Sequence, residues 1–243
     1  MVTILNNTIK MLEILHYDEH LIAINKPKGM LVHRSPLARQ EKIFAMQTLR
    51  DQVGHHVFPL HRIDRPTSGV LLFGTNKESA TALQKSFEDK KVTKKYLALV
   101  RGFIDDVITI NHPINNEYDE TLRDAISQVK PLYQTEVNIC TNPNFPTSRY
   151  TLAEAEPITG RTHQLRKHFA HIRHYIIGDK KHGDNKQNKA FMKHYNMNDL
   201  LLHSYHTIIP HPFNQEEKIS IKAPLPKHFS EILQKINIPT NQL

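Results

Sequence analysis

The stretch VFPLHRIDRPTSGVLLF, residues 57–73, sets two short apolar runs on either side of a charged turn. Val57–Leu60 and Val70–Phe73 have the composition of buried strands, and Pro66 to Gly69 has the chemistry of a turn. Between them Asp64 sits flanked by Arg62 and Arg65, so the strand-to-turn transition delivers a carboxylate among cations. Two neighbouring guanidinium groups favour the charged acid. In a cleft such a group attacks carbon; on a surface the same spacing is an ion pair that also caps local backbone donors. Spacing alone leaves both readings open.

Outward from this segment, LEILHYDEHLIAIN (12–25) alternates apolar and polar residues around the turn signal YDEH, the pattern of a hairpin. Ile43, Met46, Leu49 and Val53 share one helical face, and Lys77 to Lys90 also has helical spacing. KKYLALVRG (94–102), AISQVKPLYQTEVNI (125–139) and SRYTLAEAEPI (148–158) are expected strands, the last two separated by the turn-rich TNPNFPT. A helix is expected over Arg161–His174, strands over Leu200–Ile209 and Lys218–Ile221, and a closing helix over Phe229–Ile236. Asp179–Lys189 has the composition of a polar loop. Strands outnumber helices and follow one another directly, which predicts an α+β fold with a mixed, mainly antiparallel central sheet flanked by helices. All 243 residues are expected to form one domain.

Composition narrows the function classes. One cysteine, Cys140, excludes a disulfide scaffold and a four-thiolate metal site within one chain; in its apolar strand it is expected to be an inert buried thiol. No run approaches the roughly 18 apolar residues of a membrane helix, and the N-terminal segment lacks a cleavable signal, so a cytoplasmic location without membrane contact is expected. An excess of 32 Lys and Arg over 24 Asp and Glu gives a net charge of +8, which suits a polyanionic partner. The cations gather around Lys90–Lys95, Arg161–Arg173 and Lys180–Lys193. His163, His168, His171 and His174 fall close together, but no distant third ligand with an acid accompanies them, and no metal is expected. His33, His61 and His203 have the character of polar lining or satisfied core residues. No Walker loop, dinucleotide turn or H-E-x-x-H helix occurs, and no cofactor is expected.

HRIDRPTSG (61–69) resembles the signature around the catalytic aspartate of the RluA-type pseudouridine synthases. Three further segments match that family in the same order: NKPKGMLVH (25–33), KKYLALVRG (94–102) and EPITGRTHQLRKHFAHIRHYIIGDKKHG (156–183). The agreement spans most of the chain, and no S4-like extension is expected before the hairpin. FAMQTLRDQVGHHVFPLHRIDRPTSGVLLF (44–73) is most similar to the TruC branch, whose members modify uridine 65 of transfer RNA. Ile63 stands where leucine is more usual, and Asn185 and Gln187 stand where that family has glycine and histidine.

The resemblance implies the pseudouridine synthase catalytic fold with a basic cleft, no cofactor, a structured RNA such as tRNA as partner, and no obligate protein partner. It makes Asp64 the group that acts on the ribose, as nucleophile toward carbon 1 or as the base that starts elimination. It pairs Arg166 with Asp64, places Tyr96 beside the uracil as the candidate for removing the carbon 5 proton, and seats Leu202 under the pocket. Arg62, with His61 and Arg65 beside it, is expected to meet the RNA where the uridine leaves its stack. Ribosomal RNA is the alternative substrate. A silent RNA-binding protein on this scaffold is one rival reading. The other is a hydrolase with Glu156 as its second acid, and the family placement makes Glu156 structural.

Overall fold

The computed structural model of the chain describes residues 11–34, 43–117, 119, 121–214 and 216–240. In chain order the elements are β1 (Glu13–Tyr17), β2 (Leu21–Lys26), α1 (Ala45–Val53), β3 (Phe58–Pro59), β4 (Ser68–Gly74), α2 (Lys77–Glu88) and β5 (Thr93–Arg101). Then follow β6 (Ile108–Asn111), β7 (Ile114–Asn115), β8 (Leu122–Arg123), β9 (Ile126–Val137) and β10 (Ser148–Pro157). The rest is α3 (Gln164–His171), α4 (Asn185–Tyr195), β11 (Leu202–Pro210), β12 (Lys218–Lys222) and α5 (Lys227–Lys235). One large sheet runs β1-β2-β4-β11-β5-β10-β9-β6, with β3 added to β4 and β12 to β11. Every pairing is antiparallel except β4 with β11, so the sheet is mixed and mainly antiparallel, as the strand pattern predicts. Among the described residues, no helix is long and apolar enough to cross a membrane.

Strand β4 is buried along its whole length because the sheet is covered on both faces, which is why SGVLLFG is a continuous apolar run. Val70 and Leu72 pack with Leu21, Ala23 and Leu83 on one side. Leu71 and Phe73 pack with Ile22, Ile24 and Leu49 on the other. Strand β5 divides its side chains in the same way. Leu97 and Leu99 join Tyr150, Leu201 and Phe229, whereas Tyr96, Ala98 and Val100 join Leu165, Phe169, Leu200 and Leu202. The period of two therefore assigns Tyr96, Leu202 and helix α3 to one face.

Local chemistry fixes the ends of the elements. Asp18 Oδ1 accepts from the backbone N–H groups of His20 (2.7 Å) and Leu21 (2.8 Å), closing the β1–β2 turn. Asn76 caps α2 by accepting from Ser79 N at 2.9 Å. Gly69 has φ 111°, and a Cβ there would lie 2.1 Å from Ser204 O, so the close parallel pairing of β4 with β11 requires glycine.

Four expectations need correction. Ile43 precedes helix α1 and is 61% exposed; Phe44 takes the buried place at the helix start. The helix expected over 161–174 is shorter, since His163 adopts a left-handed backbone immediately before α3. The polar loop expected over 179–189 is half helix: Asp184 caps α4 by accepting from Lys186 N at 2.8 Å, and Gln187 is buried under the Tyr150 hydroxyl at 2.6 Å. Asp-x-x-Gln at 184–187 is a capping signature visible in the sequence. Cys140 is exposed, its thiol donating to Asn142 O at 3.3 Å in the turn that follows.

Candidate active site

The turn between the two apolar runs is built on its own backbone and braced from behind. Thr67 N donates to Asp64 O at 3.1 Å, and Gly29 N donates to Arg65 O at 2.7 Å. Lys26, wholly buried at the end of β2, donates through Nζ to the carbonyls of Pro27 and Met30 (both 2.9 Å) and of Arg65 (3.3 Å). Burial pushes the Lys26 ammonium down to about 7, against the pull of the nearby Asp64 charge. The NKPKG segment thus holds the loop carrying Asp64 in place. Sequence alone gave it no role; the signal was a lysine closing a strand that opens on the apolar run Leu21–Ile24.

Asp64 projects into a cavity of about 580 Å³. Its walls include His61, Arg62, Lys94, Tyr96, Arg161, His163, Arg166 and Leu202. Neither flanking arginine holds the carboxylate. Arg62 and Arg65 are exposed, and Arg65 Nε donates to Gly29 O at 3.0 Å, away from the cavity. The cation on Asp64 comes instead from 102 residues further along: Arg166 Nη1 donates to Asp64 Oδ2 at 3.1 Å.

Arg166 is itself fixed. Its Nε donates to Asp179 Oδ2 at 2.7 Å and its Nη2 to Asp179 Oδ1 at 2.8 Å, a two-pronged pair in which both side chains are buried. Asp179 Oδ1 also accepts from the backbone N–H groups of Lys181 and His182, each at 2.9 Å. Burial alone would raise the Asp179 carboxyl, but the Arg166 and backbone hydrogen bonds overcome it and hold the group below its ordinary range. Asp179 is the acid that the sequence reading placed in a polar loop. Its signal was an aspartate two and three residues ahead of turn N–H groups.

Tyr96 is 8% exposed, and burial, helped by the Asp64 charge, pushes its phenol up to about 12. It is therefore a protonated, ring-shaped wall of the cavity. Leu202 is buried beside it in the same cluster, while Leu201 points into the opposite core, so of the three consecutive leucines only Leu202 lines the cavity. His61 Nε2 accepts from Leu72 N at 3.1 Å and its ring stacks on Phe87 at 5.1 Å; burial pushes it down to about 3, leaving it neutral.

Helix α3 places His163 at its start with φ 56°, a left-handed backbone that aims the imidazole at the cavity mouth. His163 Nε2 lies 3.8 Å from Asp64 Oδ2, and Nδ1 lies 3.0 Å from Glu117 Oε1. The other clustered histidines diverge. His168 contacts Ser127 Oγ and His112 O, His171 stacks on His112, and His174 meets Arg101 O. A different trio, Glu117, His163 and His182, brings its ligand atoms within 4.8 Å of one another. Glu156, the second acid of the hydrolase reading, is not among the cavity walls.

Comparison with known proteins agrees with this geometry. The family described as RNA pseudouridylate synthase matches residues 20–171. A protein named tRNA pseudouridine synthase C from Vibrio vulnificus is 44% identical over 243 residues, covering 96% of this chain and 98% of its own. Its namesake from Vibrio parahaemolyticus is 47% identical over 218 residues, covering 86% and 88%. Two human structures share the fold. RNA Pseudouridylate Synthase Domain Containing 4 superposes with a TM-score of 0.73 at 24% identity, covering 94% of both chains. Domain Containing 1 superposes at 0.69 and 22% identity, covering 96% of this chain and 97% of that one. With that match over more than half its length and relatives above 40% identity along nearly all of it, this chain belongs to the RNA pseudouridylate synthase family and is a pseudouridine synthase.

Proposed function

We propose that the enzyme isomerises uridine to pseudouridine in transfer RNA, at uridine 65, with Asp64 as the group that acts on the ribose. The observation that carries the reading is Asp64 held by Arg166 in a cavity it shares with Tyr96 and Leu202. The choice of transfer RNA rests on relatives named tRNA pseudouridine synthase C at 42–47% identity.

The reaction needs no redox step. The bond from uracil N1 to ribose C1′ breaks, the base turns within the pocket, C5 joins C1′, and the C5 proton leaves. Asp64 begins it either by forming a bond from its oxygen to C1′ as N1 departs, a bond that breaks again when C5 joins C1′, or by taking the C2′ proton as N1 departs so that a glycal forms, the proton returning to C2′ when C5 joins C1′. Both routes pass through the oxygen that Arg166 orients. The guanidinium contributes by holding the carboxylate on one trajectory, a positioning effect in which a displacement of about 1 Å can cost about 100-fold. In the direct-attack route the Asp64 charge is discharged in the covalent intermediate, which relieves one of the two influences raising Tyr96; burial, the larger, remains. Tyr96 therefore serves chiefly as the surface on which the uracil lies. Leu202 supports it from below, and neutral His61 closes the apolar side.

Reaching a stacked uridine costs a few kcal/mol. Arg62, exposed on the cavity rim, is placed to occupy the vacated position, and the remaining cations suit phosphate and 2′-hydroxyl contacts along an A-form stem. Incubating the protein with transfer RNA and ribosomal RNA transcripts and mapping carbodiimide-resistant adducts tests the reading. One adduct at uridine 65 of transfer RNA is expected. Adducts confined to ribosomal RNA would overturn the substrate, and release of free uracil would overturn the chemistry.

A further inference from the structure

The β7–β8 hairpin carries a carboxylate to His163, a wall of the Asp64 cavity. Glu117 Oε1 is 2.8 Å from Lys181 Nζ, 3.0 Å from His163 Nδ1 and 3.6 Å from Lys167 Nζ. Lys167 also donates to Asn115 O at 3.0 Å, so two lysines grip the hairpin by its backbone and by its acid. Three permanent cations, Arg166, Lys167 and Lys181, here face three carboxylates, Asp64, Asp179 and Glu117. Asp64 and Asp179 are both engaged by Arg166, which leaves Glu117 as the acid shared by the two lysines among the described residues. All three of these contacts converge on a single Glu117 oxygen, whereas a phosphodiester carries the same charge on two non-bridging oxygens.

We propose that His163, Lys167 and Lys181 form a subsite for a backbone phosphate of the bound RNA, which Glu117 occupies as a removable stand-in until the RNA arrives. The inference rests on the RNA isomerase reading above. Its location fits that chemistry: His163 bridges the subsite to Asp64, so a phosphate there belongs to the target nucleotide or its neighbour. Lys181 is 53% exposed on its side chain and Glu117 31%, so an incoming strand can reach the pair and exchange one anion for another. A ligand without comparable negative charge would leave the lysines unpaired, which makes the latch a filter for polyanions. The Glu117, His163 and His182 trio is less suited to a divalent metal, because two ammonium groups stand beside the same carboxylate.

Equilibrium binding of a fluorescent tRNA transcript to the wild type, Glu117→Gln, Lys181→Gln and the double variant, over a series of salt concentrations, tests this. Glu117→Gln should lower Kd by roughly 3- to 10-fold, because a partly exposed ion pair and a competing charge are removed together. Lys181→Gln should raise Kd and reduce the slope of log Kd against log salt by about 1. In the Lys181→Gln background, Glu117→Gln should gain much less than in the wild type. If Glu117→Gln proves poorly folded by thermal melting, Glu117→Asp, which withdraws the charge by one methylene, should still tighten binding. Unchanged or weaker binding by folded Glu117 variants would overturn the subsite, as would zinc binding by calorimetry that is present in the wild type and lost in Glu117→Gln. If the wild type isomerises transfer RNA while Glu117→Gln binds no tighter, the subsite alone fails. If Glu117→Gln binds tighter but no pseudouridine forms, the isomerase reading alone fails.

Discussion

Replacing Asp179 by asparagine keeps the side-chain shape, removes one charge and exchanges Oδ2 for an amide NH2. Oδ1 survives, so the backbone N–H groups of Lys181 and His182 keep their acceptor at 2.9 Å and Arg166 Nη2 keeps its own at 2.8 Å. What changes is the 2.7 Å contact from Arg166 Nε, where a donor then faces a donor. Breaking a buried ion pair from one side costs about 3–5 kcal/mol, and the surviving acceptor places this case at the low end, near 3. That is a large part of a typical total of about 5–15 kcal/mol, yet it leaves a folded protein. The functional cost is separate. Arg166 loses one of its two anchors and no longer fixes its Nη1 at 3.1 Å from Asp64 Oδ2, so a fall in kcat of about 100-fold is expected with tRNA affinity within about 3-fold. Single-turnover tritium release from transfer RNA labelled at uridine C5, run well below the variant's melting temperature, measures the first quantity, and filter binding measures the second. A folded Asp179→Asn enzyme with the wild-type single-turnover rate would refute the claim that Arg166 acts through a fixed position.

Lys26→Met removes the donor shared by the carbonyls of Pro27, Met30 and Arg65; Gly29 N still satisfies Arg65 O, and the two part-buried carbonyls that lose their donor give a loss of about 1–3 kcal/mol, read as the urea midpoint, while a loss under about 0.5 kcal/mol would contradict the bracing role. His61 and His203 are pushed down by burial to about 3 and about 4, below the unfolded value near 6.5, so the unfolded chain takes up protons that the folded one refuses. Their contribution is intact above about pH 6.5 and declines as pH falls toward those values, by about 2 kcal/mol for the pair between pH 6.5 and 5.5. Urea unfolding at the two pH values checks this, and a flat profile would contradict it. Tyr96→Phe keeps the ring against which the uracil lies and should cost far less kcat than Tyr96→Ala; equal losses would give the hydroxyl the main part.

The fold was legible wherever burial imposes a period on the chain. SGVLLFG reads as a strand covered on both faces, and β4 is one. Helix α2, with its Asn76 cap and buried Ala80 and Leu83, also lies where its spacing placed it. The short strands β6, β7 and β8 went unread because four or fewer residues carry too little period. The site was legible only in part. Asp64 stood out by its neighbours, but those neighbours proved the wrong cations: Arg65 ties the turn to Gly29, and the holding guanidinium belongs to Arg166, brought in by α3 from across the sheet. Local spacing carries no information about a partner 102 residues away, so that pairing came from the family resemblance. Lys26, Glu117 and Asp179 were missed for a related reason. Each acts by satisfying groups that become neighbours only once the sheet and its loops have closed around the cavity.

The most direct measurement is pseudouridine formation in a transfer RNA transcript by Asp64→Ala and Asp64→Asn beside the wild type, with RNA binding followed in parallel. Complete loss of product by both variants, with the RNA still bound within a few-fold of the wild-type affinity, is the predicted result. Pseudouridine made by either variant at a rate near that of the wild type would contradict the account, because no other acid in the cavity is held by Arg166 in position to act on the ribose.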